Sequence, residues 1–136
     1  MKSATASSEC RATAHVPLAA DAQAARQARR TAARLLALEA GLCPREVAED
    51  LELIVSELVT NAVLHAAGPY ALTFSLERGR AGVAVSDGST DLSGRQGSMR
   101  RIGPGGRGLK IIRGLGADLF VSPSERGKQV IAVLTW

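Results

Sequence analysis

One long helical segment limits most strongly what this chain can fold into. Residues 44–67 begin with Pro44, a residue favoured at the first position of a helix, and they stop before Gly68 and Pro69, which end one. With about 100° between successive residues, its main apolar stripe occupies roughly a third of the helix circumference. Such a stripe needs a second layer to cover it. It contains Val47, Leu51, Ile54, Val55, Leu58, Ala62 and His65.

The remaining segments show either strand or helix patterns. Segment 12–18 reads as an edge strand closed by Pro17, and Asp21 and Gly41 are expected to begin and stop the helix that follows. Residues 90–106 are rich in Gly, Ser and Arg and predict a long functional loop. We expect strands at 12–18, 70–77, 81–86, 119–122 and 128–135, and further helices at 22–40 and 107–115.

These elements predict an α+β fold. Antiparallel hairpins and segregated helices favour a two-layer α/β sandwich, with a mixed, mostly antiparallel sheet and the helices on one face. Residues 1–11 are rich in Ser, Ala and Thr and lack the apolar stretch of a signal peptide, so we expect a loose tail followed by one domain at 12–136.

Composition excludes several classes of function. No apolar run approaches the ~20 residues of a membrane span, and two cysteines are too few for a disulfide framework, so we expect a cytoplasmic protein with reduced thiols. The net charge of +4 invites a nucleic-acid function, but the basic residues are scattered and no aromatic residues are interleaved with them. We expect no membrane or direct nucleic-acid binding, and a solvated helix face at Arg26, Arg29, Arg30 and Arg34.

Two polar residues lie at the edge of the apolar stripe of the long helix. Glu57 and Asn61 are one turn apart and fall ~70–110° from the centre of the stripe. An amide oxygen suits Mg²⁺, and a carboxylate one turn away can accept a proton from an attacking hydroxyl or water. An ordinary boundary pair is the alternative. His65, on the apolar side, is expected to pack or to cap a carbonyl.

A strand end and a glycine run supply two further candidates. Asp87 can accept a hydrogen bond from an exocyclic amine, and Gly88 lets a ring approach the backbone, although an aspartate in a turn looks the same. The segment 103–109 (GPGGRGL) contains G-x-G-x-x-G, but no strand immediately precedes it, and Lys-Ser/Thr does not follow Gly108. An anion cradle at a helix start, or a flexible linker, remains.

The order of these three elements resembles the GHKL superfamily of ATPases and kinases. The segment 57–66 (ELVTNAVLHA) is similar to its N-box, 85–88 (VSDG) to its first glycine box and 105–109 (GGRGL) to its second. The closest resemblance is to the single-domain branch of anti-sigma-factor serine kinases, over residues 11–136, and it implies the histidine-kinase-like ATPase fold. One departure is that Ser89 fills the place where the superfamily commonly has glycine.

The resemblance implies a role for each box. Asn61 would coordinate Mg²⁺, Glu57 would be the general base, and Asp87 would read adenine with Gly88 beside the ring. The loop between the glycine boxes would be the ATP lid. The phosphates would be held by Gly105, Gly106, Arg107, Gly108 and Leu109.

The resemblance also implies partners. The expected function is an ATP-binding serine/threonine protein kinase that acts as an anti-sigma factor and phosphorylates an anti-anti-sigma protein. A sigma factor would be its second partner, and relatives of this kind often form homodimers. The alternative is a regulatory protein that binds and senses ATP without transferring phosphate. A basic nucleic-acid binder is a third hypothesis.

Overall fold

The structure, a computed structural model, describes residues 12–89, 100–101, 107–124 and 127–136. Within these ranges it contains three α-helices on one six-stranded sheet. The helices are α1 (Gln23–Leu38), α2 (Arg45–His65) and α3 (Arg107–Gly114), with a 3₁₀ turn (Ala40–Leu42) between the first two. The strands are β1 (Ala12–Leu18), β2 (Tyr70–Glu77), β3 (Arg80–Asp87), β4 (Arg100–Arg101), β5 (Asp118–Ser124) and β6 (Gly127–Thr135).

The sheet confirms the α+β fold class. Its strand order is β1-β2-β3-β6-β5-β4. Every described pairing is antiparallel, so the mixed character that we expected is absent from the part of the chain that the structure describes. Two of the five pairings, β2–β3 and β5–β6, are hairpins, whose short connections require antiparallel strands. The segment 90–106 also differs from the prediction of a strandless loop, since Arg100 and Arg101 pair with β5.

The core lies between the helices and one face of the sheet. Along β2 and β3 buried and half-buried residues alternate, as a strand with one covered face requires. Helix α1 buries small side chains, so it can lie close to its neighbours. The largest fully buried side chains include Phe74, Leu51, Ile54, Leu58, Leu72 and Leu76.

The start of α1 differs slightly from the prediction. The helix begins at Gln23, and its N-cap residue Ala22 has no capping side chain. Asp21 performs this function from one residue earlier, because its Oδ1 accepts a hydrogen bond from the Gln23 N–H at 2.8 Å. At the other end α1 stops at Leu38, and Gly41 lies in the 3₁₀ turn beyond it.

His65 does not pack against the core. It is the last residue of α2 and is exposed, as is its neighbour Leu64 at 70%. The prediction of a packed or capping histidine is therefore wrong. The helical wheel placed His65 on the apolar side, but a wheel gives no information on how far along the helix that side is covered, and the helix ends at His65. Val59, which the wheel left out, is fully buried.

Cys43 is a free thiol between the 3₁₀ turn and α2. It is partly buried, and desolvation raises its pKa above the ordinary value of 9.0, because burial disfavours the charged thiolate. The reactive thiolate is therefore scarce at neutral pH. This agrees with the expectation of a reduced cysteine.

Candidate functional site

Glu57 and Asn61 lie on the flank of α2 that faces α3. Helix α2 contacts both other helices, so it is the middle one of the three. On one flank, Ser56 accepts a hydrogen bond from Arg29 of α1 at 3.2 Å. Glu57 and Asn61 are about 100° and 140° further around the helix and so face the opposite side. That side is the one that α3 occupies.

Neither side chain is engaged within the described structure. Both are half-buried, as the sequence predicted. No hydrogen bond or ion pair joins Glu57 or Asn61 to another described residue, whereas Ser56 and Asp87 have partners. A half-buried carboxylate and amide are costly to desolvate without partners. Among the described residues, nothing competes for their oxygens with a ligand that brings a cation or a hydroxyl group.

Asp87 ends β3 with both carboxylate oxygens already bonded. The residue is only 4% exposed. Its Oδ2 is 2.8 Å from the Nζ of Lys128, and its Oδ1 accepts a hydrogen bond from the Ser89 N–H at 2.8 Å. The Lys128 contact follows from the register of β3 and β6, in which these two residues are directly opposite. Sequence reasoning missed Lys128, because only the strand register brings it to Asp87.

Hydrogen bonds tie the end of α2 to the end of β3. The Gly88 N–H donates to the Ala67 carbonyl at 2.7 Å, and the Ala67 N–H donates to the Ser89 Oγ at 2.8 Å. The Tyr70 hydroxyl donates to the Ala66 carbonyl at 2.6 Å. This junction fixes the two halves of the candidate site relative to each other, and it gives Ser89 a structural role.

Gly88 is needed at this junction. A Cβ at this position would collide with the backbone carbonyl of Gly68. The close approach of two chain segments therefore requires glycine here. The reason is different from the one that the sequence suggested, which was an approach of a purine ring.

The second glycine box is described only in part. Gly105 and Gly106 lie outside the described residues. Arg107 and Gly108 open α3, and Leu109 is partly buried against the core. Helix α3 contacts α2, so the second glycine box opens a helix that packs beside the one that carries Glu57 and Asn61. Backbone N–H groups at a helix start favour an anion.

The donor set suits a hard cation that keeps most of its water ligands. In the described ranges no group of three or more His, Cys, Asp or Glu side chains is placed to hold a metal. A fully protein-coordinated zinc or calcium site is therefore not formed by these residues. Asn61 remains the predicted ligand of Mg²⁺, an ion that often binds through a single protein oxygen and substrate phosphates.

Comparison with known protein families agrees with this arrangement. Residues 18–134 match the profile of the histidine kinase-like ATPase domain. This match covers most of the 136 residues. The chain belongs to the histidine kinase-like ATPase domain family. No curated protein shows significant similarity to it.

Membership in the family settles the coarse function. A histidine kinase-like ATPase domain binds ATP and supports activity of the kinase or ATPase type. Among the described helices, none is long and apolar enough to cross a membrane.

Proposed function

We propose that this histidine kinase-like ATPase domain is a Mg²⁺- and ATP-dependent serine/threonine protein kinase that acts as an anti-sigma factor or a similar regulatory switch. The observation that supports phosphoryl transfer is the half-buried pair Glu57 and Asn61, which has no partner among the described residues and lies on the flank of α2 that faces α3. A domain that only bound nucleotide would need Asn61 but would have no use for a half-buried carboxylate one turn earlier.

Each residue has one task in this proposal. Asn61 holds Mg²⁺ through its amide oxygen, and Asp87 accepts the adenine amine. The start of α3 and its preceding glycines bind the phosphates. When bound, Mg-ATP supplies the phosphoryl group, and Glu57 accepts the proton from the attacking hydroxyl of a partner serine or threonine.

The proposed partners follow from the same resemblance. The phosphoacceptor is an anti-anti-sigma protein, and the second partner is a sigma factor that the domain withholds from RNA polymerase. Both proteins are cytoplasmic, and we propose the same location for this chain. A homodimer would present two copies of the site.

An ATP sensor without transferase activity is the second candidate. The family match favours it to the extent that it supports ATP binding without requiring transfer to a partner. The ion pair between Asp87 and Lys128 bears equally on both candidates, because both need Asp87 to accept the adenine amine. In that case ATP would alter the affinity for a regulatory protein and would leave that protein unmodified.

Phosphoryl transfer distinguishes the two candidates. The full chain is incubated with Mg²⁺, γ-labelled ATP and the anti-anti-sigma protein that co-purifies with it. We expect label on a serine or threonine of that partner, and at least a 100-fold slower transfer with Glu57→Gln, on the order of the contribution of a general base. Glu49→Gln is the matched control, because Glu49 is exposed on the same helix.

ATP affinity is measured in parallel for all three proteins by calorimetry. Tight ATP binding without label on the partner would establish the sensor. Equal transfer by the parent and by Glu57→Gln would remove Glu57 from the mechanism. Binding to duplex DNA that depends on salt concentration and is unchanged by ATP would instead favour the nucleic-acid hypothesis.

A further inference from the structure

A groove with arginine residues along it lies on the far side of the molecule from α3. It runs between α1 and the edge strand β1, with a volume of about 390 Å³. Among the described residues, no acidic side chain lines it. The groove is lined by Val16, Gln23, Arg26, Gln27, Arg30, Thr31 and Arg34.

Three arginines form one row along this groove. Arg26, Arg30 and Arg34 follow each other at four-residue intervals, which places them on one side of α1 about 6 Å apart along its axis. All three are exposed, and none forms an ion pair with a described residue. Arg29 on the α2 side differs, because it donates to Ser56. Within the described ranges the row is therefore a positive surface without paired acidic groups, which we call the arginine row.

The polar groups between the arginine row and β1 are already satisfied. Gln27 accepts a hydrogen bond from the Ala19 N–H at 3.0 Å and donates one to the Pro17 carbonyl at 3.3 Å. Thr31 donates to the backbone carbonyl of Gln27 at 3.2 Å. These bonds fix the flank of α1 to the end of β1, so the groove is preformed.

The floor of the groove is a strand edge. In the described ranges β1 pairs with β2 on one side only. On its other side β1 has no described strand partner, which is the geometry that an added strand requires. Pro17 cannot take part, because it has no N–H and its carbonyl is bonded to Gln27, so an added strand would pair with the part of β1 before Pro17. A strand placed there would extend the sheet beneath the arginine row.

We propose that this groove binds an acidic, extended segment of a partner protein, which adds to the free edge of β1 as a further strand. Alternate side chains of a strand lie on the same face, about 6.6 Å apart. That spacing matches the arginine row, so carboxylates at every second position would each meet one of Arg26, Arg30 and Arg34. The site is separate from the ATP site and does not depend on kinase activity.

Charge argues against two other occupants. A second copy of the chain, paired through its own β1, would bring two arginine rows towards each other, and like charges repel. A DNA duplex would satisfy the charge, but its backbone cannot pair with the strand edge. Only an acidic extended peptide uses both features of the groove.

Binding of synthetic peptides to the full chain tests the proposal. The probe is a fluorescein-labelled peptide of nine residues with Glu at every second position and Thr between. Two comparison peptides carry Gln in place of Glu, or the same Glu residues in one block. Fluorescence anisotropy measures the Kd of each peptide. We expect the alternating peptide to bind about tenfold or more tightly than either comparison peptide.

Variants locate the site on the protein. In the triple variant Arg26→Gln, Arg30→Gln, Arg34→Gln we expect the affinity for the alternating peptide to fall about tenfold or more, because each carboxylate loses its cation. The control triple Arg45→Gln, Arg78→Gln, Arg80→Gln removes the same charge from exposed sites elsewhere and should change the affinity less than about twofold. Both triples should bind ATP like the parent.

Amide hydrogen exchange on the unmodified chain provides a readout that does not depend on any substitution. Bound peptide should slow exchange at the amides of β1 on its free edge. The proposal is overturned if the block peptide binds as well as the alternating one, or if β1 exchange is unchanged. It is also overturned if a 20-base-pair duplex binds more tightly than the alternating peptide and depends on the same three arginines, which would make the groove a nucleic-acid site.

Discussion

Asp87 is a buried carboxylate whose two oxygens have different partners. Oδ1 is held by the backbone of Ser89, and Oδ2 is held by the ammonium group of Lys128. Within the proposed ATP site, the adenine amine would have to share Oδ2 with Lys128 or displace it. In the proposed site Lys128 would therefore both stabilise the folded domain and limit how strongly Asp87 binds the base.

Lys128→Met tests this double role. We expect the free energy of unfolding to fall by about 1–3 kcal/mol, because a buried carboxylate loses its cation and Lys128 is only partly buried, with 26% of its side chain exposed. Urea unfolding followed by circular dichroism measures this change. The rise in Tm caused by ATP should be larger than in the parent, since Oδ2 no longer has a competing partner.

The double variant Asp87→Asn, Lys128→Met is the control for charge. It leaves no unpaired charge and should be more stable than Lys128→Met alone. If Lys128→Met unfolds like the parent, the ion pair contributes nothing. A double variant that is less stable than Lys128→Met alone would also contradict this expectation.

Close packing determines the positions of α1 and of the junction between α2 and β3. Helix α1 buries Ala24, Ala28 and Ala32 completely, so only a methyl group separates its backbone from the neighbouring layer at each position. At the junction, Gly88 lies against the Gly68 carbonyl with no space for a side chain. Small residues therefore determine the positions of both elements, because they allow the backbones to approach closely.

Ala28→Leu should destabilise the fold by about 1–3 kcal/mol, because the added volume forces α1 away from the core. Ala37→Leu is the matched control, since Ala37 is exposed on the same helix, and it should stay within about 0.5 kcal/mol of the parent. Thermal unfolding compares the two. Similar Tm values for both variants would show that the residues packed against Ala28 can move to accommodate a larger side chain.

Gly88→Ala should cost about 2 kcal/mol or more and should also reduce the stabilisation by ATP, because the ends of α2 and β3 would separate. Gly41→Ala serves as the reference. No atom lies within 4 Å of a Cβ at Gly41, and we expect little change there. A Gly88→Ala protein with parental stability and parental ATP response would show that the junction tolerates movement.

At the scale of the whole molecule, α2 brings the parts of the proposed site together. Its end is bonded to the end of β3, and it contacts α3, which opens with the second glycine box. Asn61 lies one turn before the end of α2. Residues that are distant in the sequence therefore share one side of the domain.

Asn61→Ala should abolish Mg²⁺-dependent ATP binding and leave the far-UV circular dichroism unchanged, because a half-buried amide without described partners contributes little to folding. Calorimetry with and without Mg²⁺ measures the loss. Asn61 is the only asparagine in the chain, so ¹⁵N-asparagine labelling gives a single side-chain signal. That signal should shift when Mg²⁺ is added with ATP; equal Mg-ATP affinity in parent and variant would exclude the metal role.

Local signals in the sequence determined the elements and their order. The apolar stripe of α2, the alternation of β2 and β3 and the Gly/Pro boundaries are properties of neighbouring residues, so helices and strands were predicted to within a few positions. The three boxes were also found in the sequence, because each is continuous. The half-buried state of Glu57 and Asn61 followed from the helical wheel alone.

Only the tertiary structure decided what surrounds these residues. Lys128 meets Asp87 because β6 pairs with β3 in one register, and the Ser89 bond to Ala67 forms because a turn returns the chain to the end of α2. The packing of α1 beside β1 forms the groove along the arginine row, and the tertiary structure leaves His65 exposed at the end of α2. Such contacts depend on how separate elements pack, and a periodic pattern within one element carries no information about its neighbours.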